Sequence, residues 1–291
     1  MGGETRVACI VCGATTSAGL AAWHAACPAC DYQSGALDAA INDQQAHGLV
    51  SEADRELGLK ALRQENFRVI AGYASRYARP GAKTLLDVGS AHGWFLEAAR
   101  ERFNVLGIEP DAAVGTRAAA RGLPVRRGYF PEVLEAGERF DVIVFNDVIE
   151  HIPDIRGALA ACSERLNADG ILILNLPNCR GFFYRLAKLL ARLGWQAPFD
   201  RLWQKGLPSP HVHYFNRSNL TALVEQQGFT PVADAELPSL RAGGLLQRIR
   251  AGNVGAVAAY AQYLAVLCAI PVLRLLPSDI IVCVYRKPAA A

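Results

Sequence analysis

Short, largely apolar runs punctuate this chain, and between them apolar residues recur every three or four positions. The runs lie at 85–88, 105–108, 140–145, 171–176, 229–232 and 280–285, with a weaker one at 123–127. They are of strand length and carry little polar alternation, as strands buried on both faces do. The periodic stretches predict helices. One or two helices are expected from Ser51, a candidate N-cap, to Tyr77, where Arg79-Pro80-Gly81 stops the pattern. Further helices are predicted after Gly93, from Asp111 to Arg121, from Ile155 to Leu166, and from a Ser218 cap to Gln227, where Gly228 ends it. A turn is expected at Asp169-Gly170. Strands alternating with helices of about a dozen residues predict an α/β fold with a doubly wound parallel sheet.

Two stretches interrupt this alternation. The first insertion, 179–216, carries a helical pattern in which Arg185, Lys188 and Arg192 share one face and leucines the other. The second, 240–277, includes 23 consecutive residues, 251–273, with no charge. That length spans a bilayer in principle, but Asn253, Gln262, two glycines, Pro271 and many alanines dilute it, and both flanking strands must return to one sheet. It reads as a packed helix, or as a peripheral membrane contact made jointly with 181–193.

The chain has 291 residues, 52% of them hydrophobic, enough for one α/β domain and a small accessory piece. A formal net charge of +3 is too mild to argue for nucleic acid. The first residues show no basic region followed by an apolar run, and Arg6 breaks the myristoylation pattern that Gly2 suggests, so a cytoplasmic protein is expected.

Four of the eight cysteines form two pairs, Cys9-x-x-Cys12 and Cys27-x-x-Cys30, separated by 14 residues. In a reducing compartment such pairs point to metal before disulfide. Gly13 after the first pair and Pro28 within the second suit tight turns that aim two thiolates at one ion. We expect residues 1–35 to form a ribbon around a structural zinc; four thiolates close the coordination sphere, so that metal would do no chemistry. Residues 36–80 are expected to be a helical linker or lid, and 81–291 the main domain.

The most informative stretch is 84–111. Its apolar strand breaks at Gly89-Ser90-Ala91-His92-Gly93, a helix follows, and a second strand ends on the acid Glu109. Ligands of open parallel sheets sit at the carboxyl ends of the strands, so this unit suits a nucleoside-like ligand whose ribose Glu109 would hold. A dinucleotide fold wants G-x-G-x-x-G, whereas this turn reads Asp87-x-Gly89-x-Ala91-x-Gly93. An acid ahead of the turn disfavours a pyrophosphate and suits a ligand bearing an ammonium and a sulfonium.

In these residues the chain resembles the class I S-adenosylmethionine-dependent methyltransferases, over about 84–287. The resemblance implies a Rossmann-like, seven-stranded, mostly parallel sheet with the last strand antiparallel. It implies that Asp87, Gly89, Ala91 and Gly93 cradle the methionine part of the cofactor, with alanine where glycine is usual. It assigns Glu109 to the ribose, Gly128 and Tyr129 with Phe130 to the adenine, and Asn146 in the run from Phe145 to Asp154 to the methionine end. With the ribbon, Glu150-His151 and the segment Pro210-His211-Val212-His213-Tyr214-Phe215, the chain also looks like bacterial methyltransferases of sugars, surface glycans and secondary metabolites. The Glu-His pair resembles that of the quinone-biosynthesis O-methyltransferases.

Methyl transfer from a sulfonium is an in-line displacement, so alignment and exclusion of water matter most. A hydroxyl acceptor, or a carbon acidified by a carbonyl, also loses a proton. His151, His211 and His213 are the candidate bases, with Tyr214 a weaker one and Glu150 a candidate to orient His151. The expected function is methyl transfer to an oxygen or carbon of a small-molecule, sugar or lipid-linked acceptor. An RNA base methyltransferase that grips RNA with the ribbon is the rival enzyme reading, disfavoured by the lack of a basic, aromatic-rich stretch between Cys9 and Cys30. A zinc-dependent interaction module with a relic cofactor fold is the non-catalytic one.

Overall fold

The computed structural model describes residues 7–38, 52–250 and 255–289. The expectations for Ser51 and for the first six residues lie outside this range. Seven strands form the main sheet: β4 (Thr84–Val88), β5 (Asn104–Glu109), β6 (Val125–Arg127), β7 (Phe140–Asn146), β8 (Leu166–Pro177), β10 (Thr230–Leu237) and β11 (Ile280–Arg286). Their order is β10-β11-β8-β7-β4-β5-β6. β11 runs antiparallel to both its neighbours, and the β4, β5, β6, β7 and β8 pairings are parallel. The expected sheet, with its single reversed strand, is what forms.

The central strands are apolar because both faces are covered: all seven residues of β7 are buried. One face packs Leu86, Ile143, Leu172 and Leu174 under α4 (Ile155–Arg165) and α7 (Arg217–Glu225). The other packs Leu85, Val144, Ile173 and Val284 against α1 (Glu52–Tyr77) through Phe67, Ile70 and Ala74. α1 is therefore one helix whose second half belongs to the core. α2 (Trp94–Ala99) and α3 (Ala112–Ala120) complete the wound units, the latter capped by Asp111, whose Oδ1 accepts from the amides of Ala113 at 2.8 Å and Val114 at 3.0 Å.

Three local expectations change. α7 is capped by Asn216 in a reciprocal capping box with Asn219, two residues before Ser218. Asp169-Gly170 does not precede the strand as a separate turn: β8 starts at Leu166 and runs through it, with Asp169 left-handed. The sixth strand extends to Leu237, five residues beyond the predicted end.

The cysteine segment forms a second sheet, β1 (Ser17–Ala18), β2 (His24–Ala26) and β3 (Gln33–Gly35). Its fourth strand, β9 (His213–Tyr214), comes from the first insertion and pairs with β3 in the register Ser34↔His213 and Gln33↔Tyr214. The ribbon thus has no core of its own. Cys9, Val11, Cys27 and Tyr32 join the main core, while Trp23 packs with Phe199, Trp203 and Tyr184 of the insertion, whose helices are α5 (Phe182–Arg192) and α6 (Ala197–Leu202). In the second insertion, α8 (Leu245–Arg250) precedes α9 (Ala256–Leu273). The packed-helix reading of α9 fails: only Ala259 and Ile270 of its eighteen residues are buried.

Candidate functional site

The glycine turn leaves β4 at its carboxyl end. Gly89 has φ +70°, and a Cβ there would sit 2.6 Å from Val148 Cγ2, so the crossing to β7 admits no side chain. Ala91 is also left-handed, at φ +43°. That is the position where glycine is usual, and a methyl group there carries backbone strain. Glu109 closes the turn from β5: its Oε2 accepts from the Ala91 amide and its Oε1 from the Asp111 amide, each at 2.8 Å. Each oxygen keeps a further lone pair, the acceptor capacity that two ribose hydroxyls require. Burial raises the Glu109 pKa against those two amides.

Asp87 lies beside this acid and is 1% exposed. Asn146 Nδ2 donates to Asp87 Oδ1 at 3.1 Å. Burial pushes the Asp87 carboxyl up to about 8, Asn146 opposing and the Glu109 charge adding to the rise. Asn146 Oδ1, Ser90 Oγ and Asn175 Oδ1 are buried without a hydrogen-bond partner. Buried polar atoms of this kind call for a ligand or water to complete them. Gly128 and Tyr129 follow β6, where the Gly128 amide donates to Glu109 O at 3.2 Å and the Tyr129 ring is half exposed. The predicted donor residues therefore gather on adjacent strand ends. Asn175, which pairs with Asn146 across β7 and β8, is not singled out from the sequence; an asparagine near the carboxyl end of each strand was the available signal. From α1, Arg63 reaches Asp147 at 3.5 Å, so the first half of that helix contributes to the rim.

Beyond Asn146 the chain makes a 3-10 turn, Ile149–His151. Glu150 is 1% exposed and neither of its oxygens has a hydrogen-bond partner. Burial, and then the Asp147 charge, raise its pKa well above the usual carboxylate value, which favours the protonated form. Its Oε1 is 3.9 Å from both His151 Nε2 and His211 Nε2, and the two imidazoles meet edge to face at 4.7 Å. His151 Nδ1 donates to Pro210 O at 2.9 Å, the tautomer that makes Nε2 the basic nitrogen. His211 accepts from Gln204 at 2.8 Å and faces the Tyr214 hydroxyl at 3.3 Å; burial, and then His151, lower its pKa well below the usual range. Tyr214 donates to Leu202 O at 3.0 Å, and burial holds its phenol neutral.

His213 is placed differently. Its Nε2 donates to Ile152 O at 3.0 Å and its Nδ1 accepts from Tyr32 at 2.5 Å, so both nitrogens join the ribbon to the 3-10 turn. The three histidines thus separate into a converging pair and a structural clasp.

The four cysteine Sγ atoms lie within 4.8 Å of one another, with Cys9 to Cys30 at 3.6 Å and Cys12 to Cys27 at 3.5 Å. Thiolates tetrahedral about zinc at about 2.3 Å stand roughly 3.8 Å apart, so the set fits such an ion. The two knuckles are built alike. Cys9 N donates to Ala14 O and Gly13 N to Cys9 O; Cys27 N donates to Tyr32 O and Asp31 N to Cys27 O, with Gly13 and Asp31 both left-handed. Asn219 donates to Cys30 O at 3.0 Å and Gln226 to Val11 O at 2.6 Å, which seats both knuckles on α7.

This fold and this turn define the class I methyltransferase type. The chain belongs to the methyltransferase-domain family, whose family model matches residues 60–234. Among curated proteins it is similar to the ubiquinone biosynthesis O-methyltransferase of Paramagnetospirillum magneticum, 32% identical over 155 residues, or 50% of this chain and 59% of that one. A protein of the same description from Azorhizobium caulinodans is 31% identical over 144 residues, 46% and 57% respectively. The chain thus spans about three fifths of these relatives. Solved structures of similar fold include the cyclopropane synthase MmaA2 of Mycobacterium tuberculosis, with TM-score 0.55, 19% identity and coverage of 86% and 92%. A SAM-dependent methyltransferase from Archaeoglobus fulgidus has TM-score 0.52 and 15% identity, covering 80% of this chain and 99% of that one. At these identities the two structures speak for the fold alone.

Proposed function

We propose that this protein transfers a methyl group from S-adenosylmethionine to a hydroxyl oxygen of a small aromatic or lipid-borne acceptor. The observation that carries the reading is the continuity of two constellations: Asn146 bonds to Asp87 in the donor turn, and four residues later the same segment brings Glu150 and His151 against His211. In this reading Asp87 and Asn146 hold the methionine end, Glu109 the ribose, and Gly128 and Tyr129 the adenine. The acceptor oxygen attacks the methyl carbon in line with the sulfur, the C–S bond breaks with its electrons to sulfur, and the hydroxyl proton passes to His151 Nε2. Buried Glu150 and His211 frame that imidazole. The ribbon holds zinc at Cys9, Cys12, Cys27 and Cys30 and keeps His213 and the acceptor loop in place without touching the reaction. The naming of the curated relatives as ubiquinone biosynthesis O-methyltransferases supports oxygen over carbon and a hydroxyaryl acceptor over a sugar.

The test is transfer of a labelled methyl group to a panel of ortho-dihydroxyarenes, nucleotide-linked sugars and RNA, with the product bond read by NMR. O-methylation of the arenes is expected, and His151→Gln should lower kcat by about 10²- to 10⁴-fold with donor affinity kept. Carbon methylation of a sugar, or labelling of RNA alone, would overturn the reading.

A further inference from the structure

α9 is an anomaly for a water-soluble surface. It is apolar around its whole circumference, a pattern that belongs to a protein core or to lipid. Yet Val257 is 87% exposed, Leu264 56%, Val272 62% and, just beyond, Leu275 85%. The surrounding charge is one-sided. From Pro238 to Ser278 the chain carries Arg241, Arg248, Arg250 and Arg274 and no acid.

The same surface continues onto α5. Phe182 and Phe183 at its start share a groove with Ile270, Leu273 and Arg274 at the end of α9, and the Phe182 amide donates to Pro277 O at 2.9 Å. Along α5, exposed Leu186, Leu189 and Leu193 flank the row Arg185, Lys188 and Arg192, and Trp195 follows, also exposed. Leucines beside cations, with an aromatic at the boundary, are what a helix in a lipid interface presents. Arg250 lies over the Tyr260 ring at 5.4 Å, placing a second cation and aromatic at the other end of α9.

We propose that α9 and α5 together dock the protein on an anionic phospholipid bilayer, with α9 lying in the plane of the interface. Eighteen residues of helix measure about 27 Å, close to a hydrocarbon core of about 30 Å. The connections forbid crossing. Before α9, Arg241 of the α8 arm pairs with Glu65 of α1 at 2.8 Å, and only residues 251–255 separate α8 from α9. After it, six residues lead into β11. Five or six residues reach at most about 18–22 Å, too short to return across a bilayer. A helix tied to the protein body at both ends immerses one side only, and the arginines at its ends meet phosphates. This inference stands independently of the methyl-transfer reading.

The test is sedimentation of the full chain with vesicles of phosphatidylcholine alone and of phosphatidylcholine with phosphatidylglycerol, at low and high salt. Binding is expected to the anionic vesicles, weakening with salt and reversed by an alkaline carbonate wash. Arg274→Gln should weaken it about fivefold, from about 1 kcal/mol per interfacial cation. Val257→Asp with Leu264→Asp should abolish it; both positions are exposed, so unchanged thermal unfolding will show an intact fold. Absence of binding to anionic vesicles overturns the proposal, as does resistance to the carbonate wash. So does a stable dimer in light scattering that the double variant converts to monomer with no vesicle binding at any stage, which would assign the surface to a second copy.

Discussion

Donor affinity should depend on pH through Asp87. Its folded pKa of about 8 against the ordinary 3.8 means that holding this carboxylate ionised in the free protein costs roughly 6 kcal/mol. A ligand ammonium supplies the missing counter-charge, so it binds the ionised form and expels one proton. Below pH 8 the observed affinity for S-adenosylmethionine should therefore rise about tenfold per pH unit. It should peak near pH 8, where the ligand's own amine begins to lose its proton. The stability of the free protein follows the opposite sign. The unfolded carboxyl ionises above about pH 4 and the folded one resists, so stability present below that pH is lost as pH rises toward 8. Titration calorimetry at pH 6, 7 and 8, in two buffers of different ionisation enthalpy, gives both affinity and protons released. Asp87→Asn should flatten the profile and weaken binding at pH 8. An affinity constant from pH 6 to 8 with no proton release would refute the assignment.

Tyr32→Phe removes the hydroxyl that donates to His213 and leaves a buried imidazole nitrogen unsatisfied, at a cost of about 1–3 kcal/mol. Thermal unfolding should fall by a few degrees and chelation of zinc should become faster; unchanged behaviour in both would show that the clasp is incidental. Stripping zinc should release one ion per chain, undo β1–β3 and with them β9, and abolish turnover while donor binding persists. A zinc-free protein with the ribbon signals intact by NMR would contradict this.

The donor unit was legible in the sequence because its signals are local. Apolar runs, a glycine turn and a terminal acid lie within about thirty residues, and parallel strands put their ends together whatever else the chain does. The knuckles were legible for the same reason. What escaped is non-local. The pairing of Ser34 with His213 joins segments 179 residues apart through a two-residue strand, which has no periodicity to read. That pairing, and not histidine chemistry, separates His213 from His151 and His211. The helix cap was misplaced because asparagine and serine both cap; the reciprocal bond to Asn219 decided for Asn216. For α9, composition alone could not distinguish a buried helix from one left uncovered.

Equilibrium binding of S-adenosylmethionine to wild type and to Glu109→Ala decides whether the turn after β4, closed by Glu109 from β5, is the donor site. Wild type should bind one equivalent. The variant, losing two charge-assisted bonds to the ribose at about 1.5–3 kcal/mol each, should bind about 10²- to 10⁴-fold more weakly. A wild-type protein that binds none, or a variant that binds as tightly, would rule out a donor site at this turn.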